Sequence, residues 1–405
     1  MFIATHIDSA GEMKANTAPA AAASPGIAAT LHRLDALPAS LNRDWDSLAL
    51  HAAEPNAFAE RWFVEAGIRR LPGIADQNLL EVRDGSTLIA LFPLRIERHE
   101  SRLAFRIVAN LGHHNSFLDT PLIRAGAEVA AWGALLDTLD AAAWAPGFLH
   151  LKNIAADGPV HCGLRAATAL RRRACDIVQH SERAMLASPL GSQAYYEATV
   201  RKKKRKELKR LRTRLDELGD VRFHRLADSA DLPGWIDHFL SLESKGWKGD
   251  SGSALACDAD TRAFFRDALT GAWHADRLEI LRLDLDERPI AMLVNFRTAP
   301  GAFSFKIAFD EEFARYSPGV LIQLENYAVL DSPEIAWTDS CASADHPMIN
   351  SLWAERRTIV RLSVPLSGLR RRSIFALVRL AERTAATIRA RRAAGGAPVP
   401  QDDDQ

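Results

Sequence analysis

Residues Phe303-Ser304-Phe305-Lys306-Ile307-Ala308-Phe309, followed at Arg315-Tyr316-Ser317-Pro318-Gly319-Val320-Leu321 by a change of period, decide how this chain is read. In the first segment Phe303, Phe305, Ile307 and Phe309 alternate with Ser304, Lys306 and Ala308, the period-2 pattern of a half-buried strand. In the second, Ser317 is placed to cap a helix and Pro318 suits its first position, where the missing N–H would have no partner anyway. Val320, Leu321, Leu324 and Ala328 then recur at helical spacing. The first N–H groups of a helix have no partner within it and the helix dipole favours an anion, so Gly319, Val320 and Leu321 offer donors to one. Gly319 admits close approach to the backbone, and Arg315 adds a fixed charge. The strand, turn and helix start read as a cradle for a pyrophosphate.

That order resembles the acyl-CoA pyrophosphate loop of the GNAT acyltransferases, whose usual Gln/Arg-x-x-Gly-x-Gly/Ala form is altered here to Arg315-x-x-x-Gly319, with Pro318-Gly319-Val320 in its second half. The longer string Phe305 to Gly319 is similar to one branch of that superfamily, the BcsL/CelD-like acetyltransferases of polysaccharide biosynthesis. The segments Arg201 to Lys206, Glu243-Ser244-Lys245-Gly246-Trp247-Lys248-Gly249, and His346-Pro347-Met348-Ile349 with Trp353, Arg356 and Arg357 resemble the same branch. The resemblance covers roughly 195 to 362. It implies acetyl-CoA or another acyl-CoA as co-substrate, no metal, and N-acyl transfer to a small-molecule or saccharide acceptor in polysaccharide, cellulose or cell-envelope biosynthesis. It also implies that backbone within Lys306, Ile307, Ala308 and Phe309 contacts the thioester oxygen.

A strand, turn, strand, strand order occurs twice. Leu79 to Val82, a turn at Asp84-Gly85-Ser86, Leu88 to Ile96 and Leu103 to Leu111 are answered by Leu278 to Leu283, a turn at Asp284 to Arg288, Pro289 to Arg297 and Gly301 to Phe309. This predicts an α/β fold of two tandem GNAT-like units, each a mixed sheet flanked by helices, a layout that also resembles the FemAB peptidyltransferases. After its third strand the first copy runs Gly112-His113-His114-Asn115-Ser116-Phe117-Leu118-Asp119, with no Arg-x-x-x-Gly, so it is expected to wall the acceptor or to serve as a scaffold rather than bind a second donor. The expected boundaries are a disordered segment at 1–30, a degenerate unit at 31–190, a basic connecting helix at 191–220, the acyltransferase unit at 221–366, and a basic amphipathic helix with a disordered tail at 367–405.

At 405 residues and 47% apolar, the chain can bury two cores. It shows neither a run long enough to span a bilayer nor a secretory leader, which predicts a cytoplasmic protein. Cys162, Cys175, Cys257 and Cys341 are too scattered for a zinc knuckle or a disulfide framework. The formal charge is zero but unevenly spread: residues 201–214 hold ten Lys/Arg against Glu207, and 370–392 hold eight Arg against Glu382. Such elements favour anionic partners. The first reads as one helix from Ser192 to a stop at Gly219, with Leu208, Leu211, Leu215 and Leu218 packed. It would carry lipid phosphate, an anionic saccharide carrier or nucleic acid on its charges. The second is suited either to the inner membrane surface or to the protein's own acidic surface.

Acyl transfer to an amine requires removal of a proton and polarisation of the thioester oxygen. The candidate proton acceptors are Glu243, Asp339 at the end of Ile335 to Thr338, and His346, with Trp247 and Lys248 as candidates for the acceptor pocket. Tyr327 is a candidate donor to the leaving thiolate. Two other readings fit the same sequence: a FemAB-type transferase using aminoacyl-tRNA held by the basic helix, and a catalytically inert adaptor of a polysaccharide machine. Gly-x-Ser-x-Gly, His-Glu-x-x-His and Walker-type motifs are missing from the sequence, which sets aside serine hydrolase, zincin and NTPase chemistry.

Overall fold

The structure is a computed structural model that describes residues 26–100, 105–156, 158–245, 255 and 258–395. Trp247 and Lys248, Cys257, most of the expected N-terminal segment and the last ten residues lie outside the described residues. A strand begins at Ile27, inside the segment expected to be disordered. This strand, β1 (Ile27–Arg33), pairs along its length with β2 (Asn78–Asp84) while its side chains stay largely exposed. Backbone pairing holds it, and it leaves no apolar alternation to read.

In the first half, β2 turns at Gly85-Ser86 into β3 (Thr87–Arg98), which pairs with β4 (Arg106–Asn110) and the short β5 (Leu122–Ile123). The strand β6 (Phe148–Ala155) runs parallel to β4, and β7 (Asp176–Leu186) follows. Helices α1 (Leu41–Leu50) and α2 (Arg61–Arg70) precede the hairpin, and α3 (Glu128–Ala141) and α4 (Pro159–Leu170) flank β6. The second half repeats the plan. It contains β8 (Val221–Arg225), α7 (Leu232–Lys245), α8 (Ala259–His274), β9 (Leu278–Leu285), β10 (Arg288–Thr298), β11 (Gly301–Phe309), α9 (Pro318–Glu325) and β12 (Trp337–Asp339). Its hairpin turns at Asp286 and Glu287, both at positive φ, the geometry of a type I′ turn whose twist matches the flanking strands. The one-turn α10 (Pro347–Asn350), β13 (Glu355–Pro365) and α11 (Leu369–Gly395) complete the described residues.

The strands of the described residues join one 13-stranded mixed sheet in the order β1-β2-β3-β4-β6-β13-β7-β12-β11-β10-β9-β8, with β5 beside β3. The halves exchange their last strands. β7, from the first half of the chain, lies next to β12, and β13, from its end, lies next to β6. β7 and β13 pair with each other from Glu355↔Met185 to Ser363↔Asp176, forming the seam.

Apolar packing crosses the seam as well. Phe58, Trp62, Phe63 and Leu118 share a core with Phe264, Phe296, Phe303 and Phe305, and the Phe58 ring lies 5.2 Å from that of Phe303. Full burial of such a side chain contributes roughly 1.5–3 kcal/mol, so this core binds the halves more strongly than the ion pairs on their surfaces.

The connecting basic segment forms two helices, α5 (Ser192–Thr199) and α6 (Lys202–Asp216), rather than one. Val200 leaves the helical path to bury its side chain, and Arg205 turns back to donate to the carbonyls of Glu197 and Val200. Of the expected leucine stripe, Leu208 and Leu215 are buried, whereas Leu218 lies past the helix and is exposed. Lys204 donates to Ser351, so part of the basic run is structural.

Because each half supplies a strand to the other, the two should unfold together. Equilibrium denaturation followed by tryptophan emission and by far-UV ellipticity is expected to give coincident transitions. Two separated transitions would contradict the exchanged-strand arrangement.

Candidate active site

The strand β11 does not keep the alternation of its sequence. Val294 pairs with Lys306 and Asn295 with Ser304, so Phe305 is an extra, bulged residue. Phe303 and Phe305 consequently face the aromatic core shared by the halves, while Ile307 and Phe309 pack on the opposite face against Leu281, Leu293 and Ile322. The bulge also re-aims Lys306, whose Nζ lies 5.4 Å from the centre of the Phe117 ring and 5.6 Å from that of Phe305.

On its other edge β11 pairs with β12 over only three positions, Gly301↔Trp337 to Phe303↔Asp339. Beyond Phe303, the backbone from Ser304 to Phe309 has β10 on one side and, among the described residues, no strand on the other. Two parallel strands that touch at one end and then part leave a wedge lined by peptide donors and acceptors. The first half has a comparable wedge, since β4 and β6 pair only at Val108↔Leu149 and Ala109↔His150. There Asn110 fills it. Its amide donates to the carbonyls of Lys152 (2.8 Å) and Asp119 (3.1 Å), and its oxygen accepts from the Lys152 N–H (2.8 Å). The corresponding residue of β11 is Ser304, too short to close the gap in that way.

The wedge opens beside a charged group built from both exchanged strands. Asp339, fully buried at the end of β12, accepts through Oδ2 from Arg183 of β7 (2.6 Å) and Arg357 of β13 (3.0 Å), and through Oδ1 from the Cys341 N–H (2.9 Å). Arg183 also donates to the Phe117 carbonyl (2.7 Å), while its buried Nε has no hydrogen-bond partner among the described residues. Arg357 stacks 4.5 Å over the Trp337 ring. Burial alone would depress the Arg183 guanidinium, but the Asp339 charge and hydrogen bond outweigh it and hold it above its usual value. Burial pushes the Cys341 thiol well up, with the Asp339 charge acting in the same direction, so it stays protonated.

The loop after β4 adds a second polar group. Asp119 accepts from Ser116 and from Asn153 (2.8 Å), yet burial raises its carboxyl to about 6. It fits there because Gly112 has no side chain: a Cβ at that position would lie 2.5 Å from Asp119 Oδ2. His113 stacks on Phe63 (5.4 Å) and meets Phe264 edge-on, and burial, with help from nearby cations, lowers it to about 4. It is therefore a neutral packing residue between α2 and α8. Asp119, Arg183 and Phe117 carried no sequence signal beyond the polar loop in which two of them sit.

The remaining sequence candidates are placed as follows. Arg315 is exposed, stacked 4.8 Å over Tyr316, and makes no ion pair among the described residues. Ser317 has a left-handed backbone, φ +54°, and its side chain makes no cap. A 3-10 turn over Glu311–Tyr316 runs straight into α9, and Ser317 is the single residue that joins them. The N–H groups of Val320 and Leu321 both go to the Ser317 carbonyl, so of the three expected donors the Gly319 amide is the one that remains. The room beside Gly319 is taken by Phe309, 3.2 Å from where a Cβ would stand, so this glycine admits a ring rather than a ligand.

Glu243 is buried on α7 and accepts from the Leu255 N–H (2.9 Å). His346 caps α10, its Nδ1 accepting from the Ile349 N–H at 3.5 Å. Tyr327 is packed, donates to the Leu352 carbonyl (2.8 Å) and is pushed up by burial, so it stays neutral. No group of side chains able to hold a metal ion occurs among the described residues.

Residues 202–331, which run from α6 to α9 and include β11 and the Arg315–Leu321 turn, match the family model described as "Acetyltransferase (GNAT) domain". Among solved structures the chain is similar to that titled "Crystal structure of FemX", at 10% identity and TM-score 0.52 over 80% of this chain and 95% of that one. It is also similar to a conserved protein of unknown function from Bacteroides thetaiotaomicron, at 10% identity and TM-score 0.50 over 80% and 97%. A tandem GNAT protein from the clavulanic acid biosynthesis pathway matches at 14% identity and TM-score 0.42 over 83% and 98%. Comparison with curated proteins gives no match.

Two outcomes are expected of the seam. Asp339→Ala leaves two guanidiniums facing each other without their carboxylate and should cost about 3–5 kcal/mol in urea unfolding. Asp119 holds its proton to about pH 6 in the native state, against 3.8 for an unperturbed carboxyl, so its contribution to stability is full below about pH 4 and is lost as pH rises to about 6. Asp119→Asn mimics the protonated form, and its stability relative to the parent should rise by about 2–3 kcal/mol across that window. A pH-independent difference would contradict the assignment.

Proposed function

We propose that the protein is an acyl-CoA-dependent N-acyltransferase whose donor lies in the wedge between β11 and β12. The observation that supports this most directly is that Ser304 to Phe309 keep a backbone edge unpaired among the described residues, next to the Arg315–Gly319 helix start and within the segment that matches the GNAT domain. A pantetheine arm added along that edge completes its hydrogen bonds as a further strand would. The pyrophosphate then meets Arg315 and the Gly319 amide.

In this reading a backbone N–H within Lys306–Phe309 polarises the thioester carbonyl. The acceptor amine attacks the carbonyl carbon, the C–S bond breaks, and the thiolate leaves to be protonated as CoA. We assign removal of the amine proton to Glu243, buried on α7, a helix that packs across β11. Asp339 has both oxygens committed to donors and acts by positioning Arg183 and Arg357. His346, held as a cap through Nδ1, is proposed as a relay through its other ring nitrogen. The acceptor enters from the side of Phe117. The acceptor we expect is a small molecule or saccharide, in keeping with a role in polysaccharide or cell-envelope biosynthesis and with the BcsL/CelD-like resemblance. Acetyl-CoA is the donor we expect.

Calorimetric titration with acetyl-CoA tests the donor site. Arg315→Ala should weaken binding by roughly 1–3 kcal/mol. Gly319→Val should weaken it further, because the added side chain displaces Phe309 from the end of β11. Unchanged affinity in both variants would remove the donor from this site. Glu243→Gln should keep acetyl-CoA affinity and lower turnover by about 100-fold or more. Turnover equal to the parent's would take Glu243 out of the reaction.

A further inference from the structure

The final helix has two faces that behave differently. Its inner face is docked: Phe375 and Val378 are buried against Ile107 and Phe148, Arg371 donates to the carbonyls of Leu139, Asp140 and Ala142, and Arg379 pairs with Asp176 (2.9 Å). Its outer face carries Leu369, Leu377, Leu380 and Ile388, which are 87%, 53%, 64% and 47% exposed. With Ser373 and Thr384 between them, these positions step by three or four residues and so form one continuous stripe along α11. Isolated exposed leucines are ordinary, but a stripe of four on one helix is not.

The borders of the stripe are cationic. Arg370 lies on one side, Arg372 and Arg383 on the other, all exposed. Glu382 is turned inward, 3.3 Å from His99 and paired with Arg379. Past the helix, Arg165, Ile177 and Arg383 line one groove together with the Arg379–Asp176 pair, and Ile177 is itself half exposed.

We infer that the outer face of α11 is a membrane-surface anchor, its aliphatic stripe entering the headgroup region of an anionic bilayer and its arginines meeting the lipid phosphates. The helix lies in the interface plane, since it is not apolar enough to cross a membrane. The chemistry separates this occupant from others. A second copy of the chain docked face to face would bring arginine borders together, and a nucleic acid would satisfy the arginines while leaving the leucines in water. A bilayer with anionic headgroups takes both. This inference is independent of the acyl-transfer reading.

Co-sedimentation of the full chain with vesicles of phosphatidylcholine alone, and of phosphatidylcholine mixed with phosphatidylglycerol, tests it, with far-UV ellipticity confirming the fold of each variant. The parent should partition onto the anionic vesicles far more than onto the neutral ones. The double substitution Leu377→Glu and Leu380→Glu should abolish partitioning, and Arg370→Gln with Arg372→Gln should lower it about thirtyfold and make the remainder less sensitive to salt. Failure of the parent to bind anionic vesicles would overturn the inference. So would retention by the leucine variant, which would make the attachment purely electrostatic. Sedimentation velocity showing a dimer that the leucine substitutions disperse would assign the stripe to a second copy instead.

Discussion

Asp339 accepts hydrogen bonds from Arg183 and Arg357, one on each of the two exchanged strands, and on this shared buried carboxylate the middle of the sheet depends. The residues come from three separate parts of the chain, so the group exists only when β7, β12 and β13 lie side by side. A buried ion pair contributes little net stability against an apolar replacement, but breaking it on one side is costly, and this asymmetry makes it a specifier of arrangement. It couples strand exchange to the site, because Arg183 also holds the Phe117 carbonyl and Phe117 faces Lys306.

The duplicated plan then explains why the two halves differ chemically. In the first half β4 and β6 part after two pairs, and in the second β11 and β12 part after three. In the first half the wedge is stitched by Asn110, and the following loop is spent on packing His113 against α2 and α8. In the second half Ser304 leaves the wedge open and the Phe305 bulge turns Lys306 toward the other unit. In the proposed reading, one copy serves as a wall and the other presents the edge that takes the donor.

The repeat of hairpins, the change from strand to helix at Ser317–Gly319 and the basic character of α6 and α11 were all legible in the sequence, because each rests on local periodicity or turn chemistry. The faces of β11 were not, since a one-residue bulge inverts the alternation and is set by pairing with β10. The break between α5 and α6 was hidden for a related reason: Val200 is a tertiary choice, made by burial and by the return of Arg205. Gly319 was read for the right property and the wrong neighbour. Asp339 was singled out as a carboxylate near the donor, while its two arginines come from positions 156 and 18 residues away, a relation that no spacing reveals. The titration of Asp119 near pH 6 likewise depends on burial by a fold the sequence alone does not display.

Hydrogen–deuterium exchange with and without acetyl-CoA tests the donor wedge most directly. The unpaired amides between Ser304 and Phe309 should be slowed by the ligand, together with that of Gly319, while those of β4 from Arg106 to Asn110 remain as they were. Protection confined to β4 and β6, or bound acetyl-CoA that leaves Ser304 to Phe309 unprotected, would contradict the account.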